Sequence, residues 1–218
     1  MKKYLLAATM FALVSTAFVS CSDEDEKDMP GLASSVISFE NVLEPKDFVE
    51  SGTFVGMGSE DINAPVVLPG QSIRFTFHAG KGQALMFATM YGASKDWFFA
   101  PENPGLQLYN NDGVPMTGDV SSQIKLWDNG TKAGMTDEKE DVGIMMVPDI
   151  DASKLMKLEL NYMASSSEFE LTITNTSGGS DNETPFSPGV WAVSNVFNGE
   201  LLNGMPFYEA GAKSNAEI

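Results

Sequence analysis

Three stretches of this sequence alternate apolar and polar residues with a period of two. Ile73, Phe75 and Phe77 are interleaved with Ser72, Arg74, Thr76 and His78. Met156, Leu158, Leu160 and Tyr162 alternate with Lys157, Glu159 and Asn161, and Phe169, Leu171 and Ile173 with Glu168, Glu170, Thr172 and Thr174. Successive side chains of a strand point to opposite faces, so each stretch reads as a strand with one buried face and one wet face. Residues 36–39, 85–91, 124–127 and 143–147 are further short strand candidates. Turn signals separate them: Pro69-Gly70, Gly80-Lys81-Gly82, Pro104-Gly105, Asn111-Asp112-Gly113, Asp128-Asn129-Gly130 and Pro148-Asp149. No window of helical length carries an apolar stripe at the helical period. Short strands so punctuated predict an all-β fold, an antiparallel β-sandwich.

The 218 residues suffice for one domain of ordinary size with a fraction left over. Thirteen Lys and Arg stand against 30 Asp and Glu, a formal net charge of −17. That excess repels phosphate backbones and argues against general nucleic-acid binding. A single Cys allows neither an internal disulfide framework nor a Cys-based zinc site, and a single His leaves little for His-dependent catalysis. That residue, His78, falls on the polar face of its strand and reads as a surface side chain. No Gly-x-Ser-x-Gly elbow surrounds any Ser, and nothing singles out a catalytic carboxylate pair. Met86, Met90, Met145 and Met146 lie in apolar strand windows and read as core. The expectation is a protein without catalytic activity.

The N-terminus reads as a targeting segment. Lys2 and Lys3 precede an apolar run from Tyr4 to Val19, too short and too early for a spanning helix, and Ser20-Cys21 follows. This arrangement resembles a bacterial lipoprotein signal, with Phe18 standing where the lipobox usually carries Leu. The resemblance implies a signal peptide over residues 1–20 and lipidation of Cys21. The acidic run Ser22-Asp23-Glu24-Asp25-Glu26-Lys27-Asp28 has no apolar content and reads as a solvated tether, 21–33 with the lipidated Cys. It resembles the export signal of Bacteroidetes lipoproteins shown on the outer face of the outer membrane. Cleavage before Cys21 removes Lys2 and Lys3 and no acid, taking the charge from −17 to −19. Lipid, not charge, must then hold the protein at a membrane.

The middle of the chain carries an ordered set of motifs: Leu68-Pro69-Gly70-Gln71-Ser72, Phe87-Ala88-Thr89-Met90, Asp96-Trp97-Phe98-Phe99-Ala100-Pro101, Gly105-Leu106, Asn111-Asp112-Gly113, Thr117-Gly118-Asp119-Val120 and Leu126-Trp127-Asp128-Asn129-Gly130-Thr131. Together they resemble the spondin N-terminal domain family in its bacterial form, over somewhat under a third of the chain. The resemblance implies a C2-like β-sandwich, here over residues 34–176. It also implies kinship with extracellular matrix and adhesion proteins that carry a calcium site in the domain's loops. Thr184-Pro185-Phe186-Ser187-Pro188-Gly189-Val190-Trp191-Ala192-Val193 is similar to the region near the start of such a domain, yet here it follows the later motifs. Two readings fit: a linker and partial second unit over residues 177–218, which is the favoured expectation, or a rearranged order in which this segment completes the first unit. Under the first, Trp191, Val193, Phe197 and Phe207 lack partners, and the reading frame is expected to continue past Ile218.

A calcium site needs six to eight oxygens converging from loops. Asp96, Asp112, Asp119 and Asp128 all lie in or beside turns, and Asp96 and Asp128 sit inside the two best-matching motifs. Asp in a turn also has the ordinary use of accepting from nearby backbone amides. Lys132 departs from the family pattern, which often has an acid there, and an ammonium beside calcium repels the ion. No EF-hand loop is present. Trp97, Phe98 and Phe99 are consecutive aromatics, so at least one is exposed unless the strand is covered on both faces. They read either as a carbohydrate or protein contact, with Trp97 and Phe98 foremost, or as a plug of the sandwich's open end.

The expected function is that of a lipid-anchored β-sandwich on the outer membrane, exposed at the cell surface. It holds lipid through Cys21 and binds an extracellular protein, matrix or glycan, with calcium as its cofactor. The alternative is a structural subunit of a cell-surface assembly, its C-terminal piece completed by strand addition from a partner chain.

Overall fold

The computed structural model describes residue 38 and residues 48–59, 64–202 and 206–214. All but Ser38 belong to one unit, Leu43–Ile218. The signal segment, Cys21, the acidic tether and the strand candidate at 36–39 (Ser38 apart) lie outside the described residues. In chain order the strands are β1 (Glu50–Phe54), β2 (Ser72–His78), β3 (Gln83–Tyr91), β4 (Trp97–Pro101), β5 (Leu106–Gln107) and β6 (Gly118–Asp119). They continue with β7 (Ile124–Asp128), β8 (Met145–Met146), β9 (Met156–Met163), β10 (Glu168–Asn175), β11 (Phe186–Phe197) and β12 (Glu200–Leu201). Two 3-10 turns, Ser121–Gln123 and Ala152–Lys154, are the helical elements among the described residues, and no helix there is long and apolar enough to cross a membrane.

The strands form two packed antiparallel sheets, the expected all-β sandwich. The smaller has the order β2-β10-β9-β6, the larger β1-β11-β3-β4-β7-β8, with β5 also paired to β3 and β12 to β11. The period-two residues of the smaller sheet line up across strands. Phe77 faces Phe169, which faces Tyr162; Phe75, Leu171 and Leu160 form the next row; Ile73, Ile173 and Leu158 the third. Phe169, Leu171, Ile173, Leu158 and Leu160 are buried, while Thr76, His78 and Glu159 on the opposite face are exposed. One wet face and one dry face are what an alternating pattern requires.

The middle of the larger sheet, β3, β4 and β7, is covered on both faces. Leu85, Phe87, Tyr91, Phe99, Leu126, Trp191 and Val193 join the inter-sheet core. On the other face Met86, Phe98, Ala100 and Trp127 pack with Ile144 and Tyr208. Tyr208 arrives on the C-terminal segment, which lies back over the sheet. Its hydroxyl donates to Pro101 O at 2.8 Å, its carbonyl accepts from Asn103 Nδ2 at 2.8 Å, and Ile144 N donates to Ala212 O at 2.9 Å. Burial foremost, and then the charge of Glu102, raises the Tyr208 hydroxyl pKa far above its ordinary value, so it stays protonated and donates.

Two expectations are corrected by this arrangement. Residues 186–197, read as the opening of a partial second unit, form β11, which sits between β1 and β3 in the same sheet. The segment is part of the sandwich's own larger sheet, where β1 and β3 take the strand's hydrogen bonds on its two sides. Trp191 and Val193 therefore have partners: Trp191 stacks on Phe75 at 5.1 Å and both side chains are buried. Met145 and Met146, read as core, lie on the two-residue edge strand β8 and are about half exposed, at 50% and 49%.

Candidate functional site

β4 and β7 pair in register, with Trp97 opposite Asp128, so the residue before β4 and those after β7 meet at one end of the larger sheet. Asp96 is 3% exposed there. Its Oδ2 accepts three hydrogen bonds, from Thr131 N at 2.8 Å, Lys132 N at 2.7 Å and Thr131 Oγ1 at 3.1 Å. Asn129 N donates to the Asp96 carbonyl at 3.3 Å. Asp128 braces the same loop: Oδ1 accepts from Gly130 N and Oδ2 from the Trp97 indole N–H, both at 2.8 Å. Gly130 has φ +72°, and a Cβ there would lie 2.4 Å from the Val142 carbonyl, so the loop needs glycine at this point. In this way a short turn aims two consecutive amide N–H groups, from Thr131 and Lys132, at one carboxylate oxygen.

Two oxygens in this loop pair are left over. Asp96 Oδ1 and Asn129 Oδ1 are both buried without a hydrogen-bond partner. A buried acceptor with no donor is costly, the more so on a carboxylate. Calcium takes carboxylate and carboxamide oxygens, so the donor chemistry of this pair suits that ion. The two lysines nearby point their ammonium groups at the 133–138 turn: Lys95 Nζ is 3.2 Å from Asp137 Oδ2, and Lys132 Nζ donates to the Asp137 carbonyl at 3.3 Å. Lys132 thus gives Asp96 its backbone amide while its charge is held by another residue. No group of three or more His, Cys, Asp or Glu side chains fit to hold a metal comes together among the described residues. Amide and backbone oxygens would have to complete any coordination shell here.

Of the four expected ligands, Asp96 and Asp128 meet and the other two do not join them. Asp112 is exposed on the turn Asn110–Gly113, which lies against Lys81 at the far end of β3. Asp119 is in β6 of the other sheet, where it accepts from Ser121 N at 2.8 Å; its contacts with the Ser121 side chain and amide hold its carboxyl below the usual range. Turn position marked all four, but strand order separates them. Phe98, expected as a contact residue, is 6% exposed and packs edge-on against Tyr208 at 5.3 Å, because the C-terminal segment covers its face. Trp97 is half buried, its ring against Tyr91 at 5.7 Å and its N–H committed to Asp128. The trio is therefore divided between the sheet's two faces, Phe99 in the inter-sheet core and Phe98 under Tyr208, and presents no row of aromatics. Asn129 and Thr131 were not singled out by sequence reasoning, although both lie within the motif that drew attention to Asp128.

No family model, curated protein or solved structure matches the chain.

Proposed function

We propose that this chain is a lipid-anchored surface β-sandwich of the spondin N-terminal kind, which works by binding and whose β4–β7 loop end takes up calcium. The two-sheet antiparallel architecture and the ordered motifs over residues 68–131 support the family reading. The observation that carries the calcium reading is the pair of buried, partnerless oxygens, Asp96 Oδ1 and Asn129 Oδ1, in the loops those motifs supply. Asp96 and Asn129 would hold the ion, and the ion would neutralise a buried carboxylate and pin the two loops to each other.

The test is thermal melting of the purified chain in chelator and in millimolar calcium. A ligand bound only by the folded form raises the melting temperature with concentration. A rise of several degrees is expected in the wild type, and none in Asp96→Asn with Asn129→Ala. A wild-type curve unmoved by millimolar calcium overturns the calcium reading.

The anchor has its own test. Cys21→Ala is expected to move the protein from the membrane fraction to the soluble fraction, since the lipid on that Cys supplies the membrane affinity that the acidic tether cannot. Retention in the membrane fraction counts against lipidation at Cys21. The alternative, an assembly subunit completed by strand addition, loses the feature that suggested it. β11 is already paired on both sides within its own chain.

A further inference from the structure

β4 is five residues long, about 16 Å at the usual rise per residue, and its other end opens on a second feature. The turn after it, Glu102-Asn103-Pro104-Gly105, folds close over β3. Gly105 has φ +127°, and a Cβ there would sit 2.6 Å from the Leu85 carbonyl. With the start of β3, the 107–111 segment and the Ser121–Gln123 turn, it encloses a cleft of about 620 Å³. That is the size of a small-ligand site.

The lining is rich in carboxamides, and three of them share one arrangement. Asn103 uses Nδ2 on the Tyr208 carbonyl at 2.8 Å, Gln107 uses Nε2 on the Tyr109 carbonyl at 2.9 Å, and Gln123 uses Oε1 to accept from Gln107 N at 2.8 Å. Each amide is tied to the backbone by one end, and the other end, Asn103 Oδ1, Gln107 Oε1 or Gln123 Nε2, makes no hydrogen bond among the described residues. Asn111, also on the wall, makes no side-chain hydrogen bond among the described residues. Surface amides usually sample many rotamers, and holding them still removes part of the entropy lost on binding. Among the described residues, the ionisable groups on the wall are the Glu102 carboxylate and the Tyr109 phenol, whose hydroxyl donates to Ala79 O at 2.9 Å.

We infer that this cleft is a binding site for a neutral polyhydroxylated ligand, an oligosaccharide. A sugar hydroxyl both donates and accepts, and fixed amide oxygens, an amide N–H₂ and an acceptor-only carboxylate match a run of such hydroxyls. Anionic ligands are disfavoured by Glu102 and by the chain's net charge of −17. The inference names a ligand class for the binding reading above, but it rests on a different end of β4 and does not need the metal.

The full chain is applied to an array of neutral oligosaccharides that also carries sialylated and sulfated glycans, once with calcium and once with chelator. Binding to neutral members is expected in both conditions. Affinity for a neutral member, measured by calorimetry, is expected to fall at least tenfold in Gln107→Ala with Asn111→Ala. Asn111→Ala alone removes no bond the fold uses, so it serves if the double variant fails to fold, with a smaller loss expected. Binding to no neutral glycan, binding to acidic glycans alone, or affinity unchanged in a folded variant overturns the inference. Because binding is read in chelator as well, failure of the calcium reading and failure of this one are told apart.

Discussion

A chain ended after Ser180 is expected not to fold. β11 is paired along both edges, to β1 over Glu50–Phe54 and to β3 over much of its length, so its removal strips β1 of its partner and opens β3. It also takes away Phe186, Trp191 and Val193, each 7% exposed or less. Burying a large apolar side chain contributes roughly 1.5–3 kcal/mol. Together with the lost ladder bonds, that is comparable to the whole stability of about 5–15 kcal/mol typical of a domain. Leu85 and Phe87 would then face water. Circular dichroism and a urea titration check this: the truncated chain is expected to show no cooperative transition. A truncated chain that unfolds cooperatively would show that residues 186–214 form a separate unit after all.

Asp96→Ala is expected to destabilise the full chain by about 2–4 kcal/mol, the scale of losing a few part-buried hydrogen bonds to one charged group. The reason is geometric. Thr131 N, Lys132 N and Thr131 Oγ1 all donate to one oxygen, and alanine leaves those part-buried donors without their acceptor. Asp96→Asn keeps one acceptor in nearly the same place and is expected to lose less than half as much. Equilibrium denaturation in urea, run in chelator so that no ion contributes, separates the variants. A loss under about 1 kcal/mol for Asp96→Ala would mean that the loop is organised without the carboxylate.

The two sheets differ in how far they could be read in advance. Ile73, Phe75 and Phe77, and the matching runs in β9 and β10, have one face in water, so alternation alone declares both the strand and its dry side. β4 does not alternate: Trp97, Phe98, Phe99 and Ala100 are apolar without a break. Such a run says that both faces are covered but not by what, and the cover for Phe98 comes from Tyr208, more than a hundred residues later. Met145 and Met146 fail in the opposite direction. They are apolar residues at a sheet's last strand, where they stay about half exposed, and composition carries no sign of an edge. At the loop end, turn chemistry marked Asp96, Asp112, Asp119 and Asp128 alike, and only the family resemblance put Asp96 and Asp128 first. Turn chemistry could not pick Asn129, because an Asn in an Asp-Asn-Gly turn is ordinary until its oxygen is found buried and unbonded. The amides of the cleft were invisible for a related reason: Asn103, Gln107 and Gln123 are unremarkable one at a time, and what matters is which end of each is tied.

Local pattern by itself determined that this chain makes strands, where six of the twelve lie (β2, β3, β7, β8, β9 and β10), and that they stack as two antiparallel sheets. Those properties follow from side-chain alternation and turn residues, whose effects act over a few positions. Which strand lies beside which was decided only in three dimensions. β11 belongs between β1 and β3 because those edges have open hydrogen-bonding groups and an apolar face of matching shape, and neither is a property of residues 186–197 taken alone. The same holds for the loop end and the cleft, which exist because β4 and β7 pair in one register and carry their flanking turns to opposite ends.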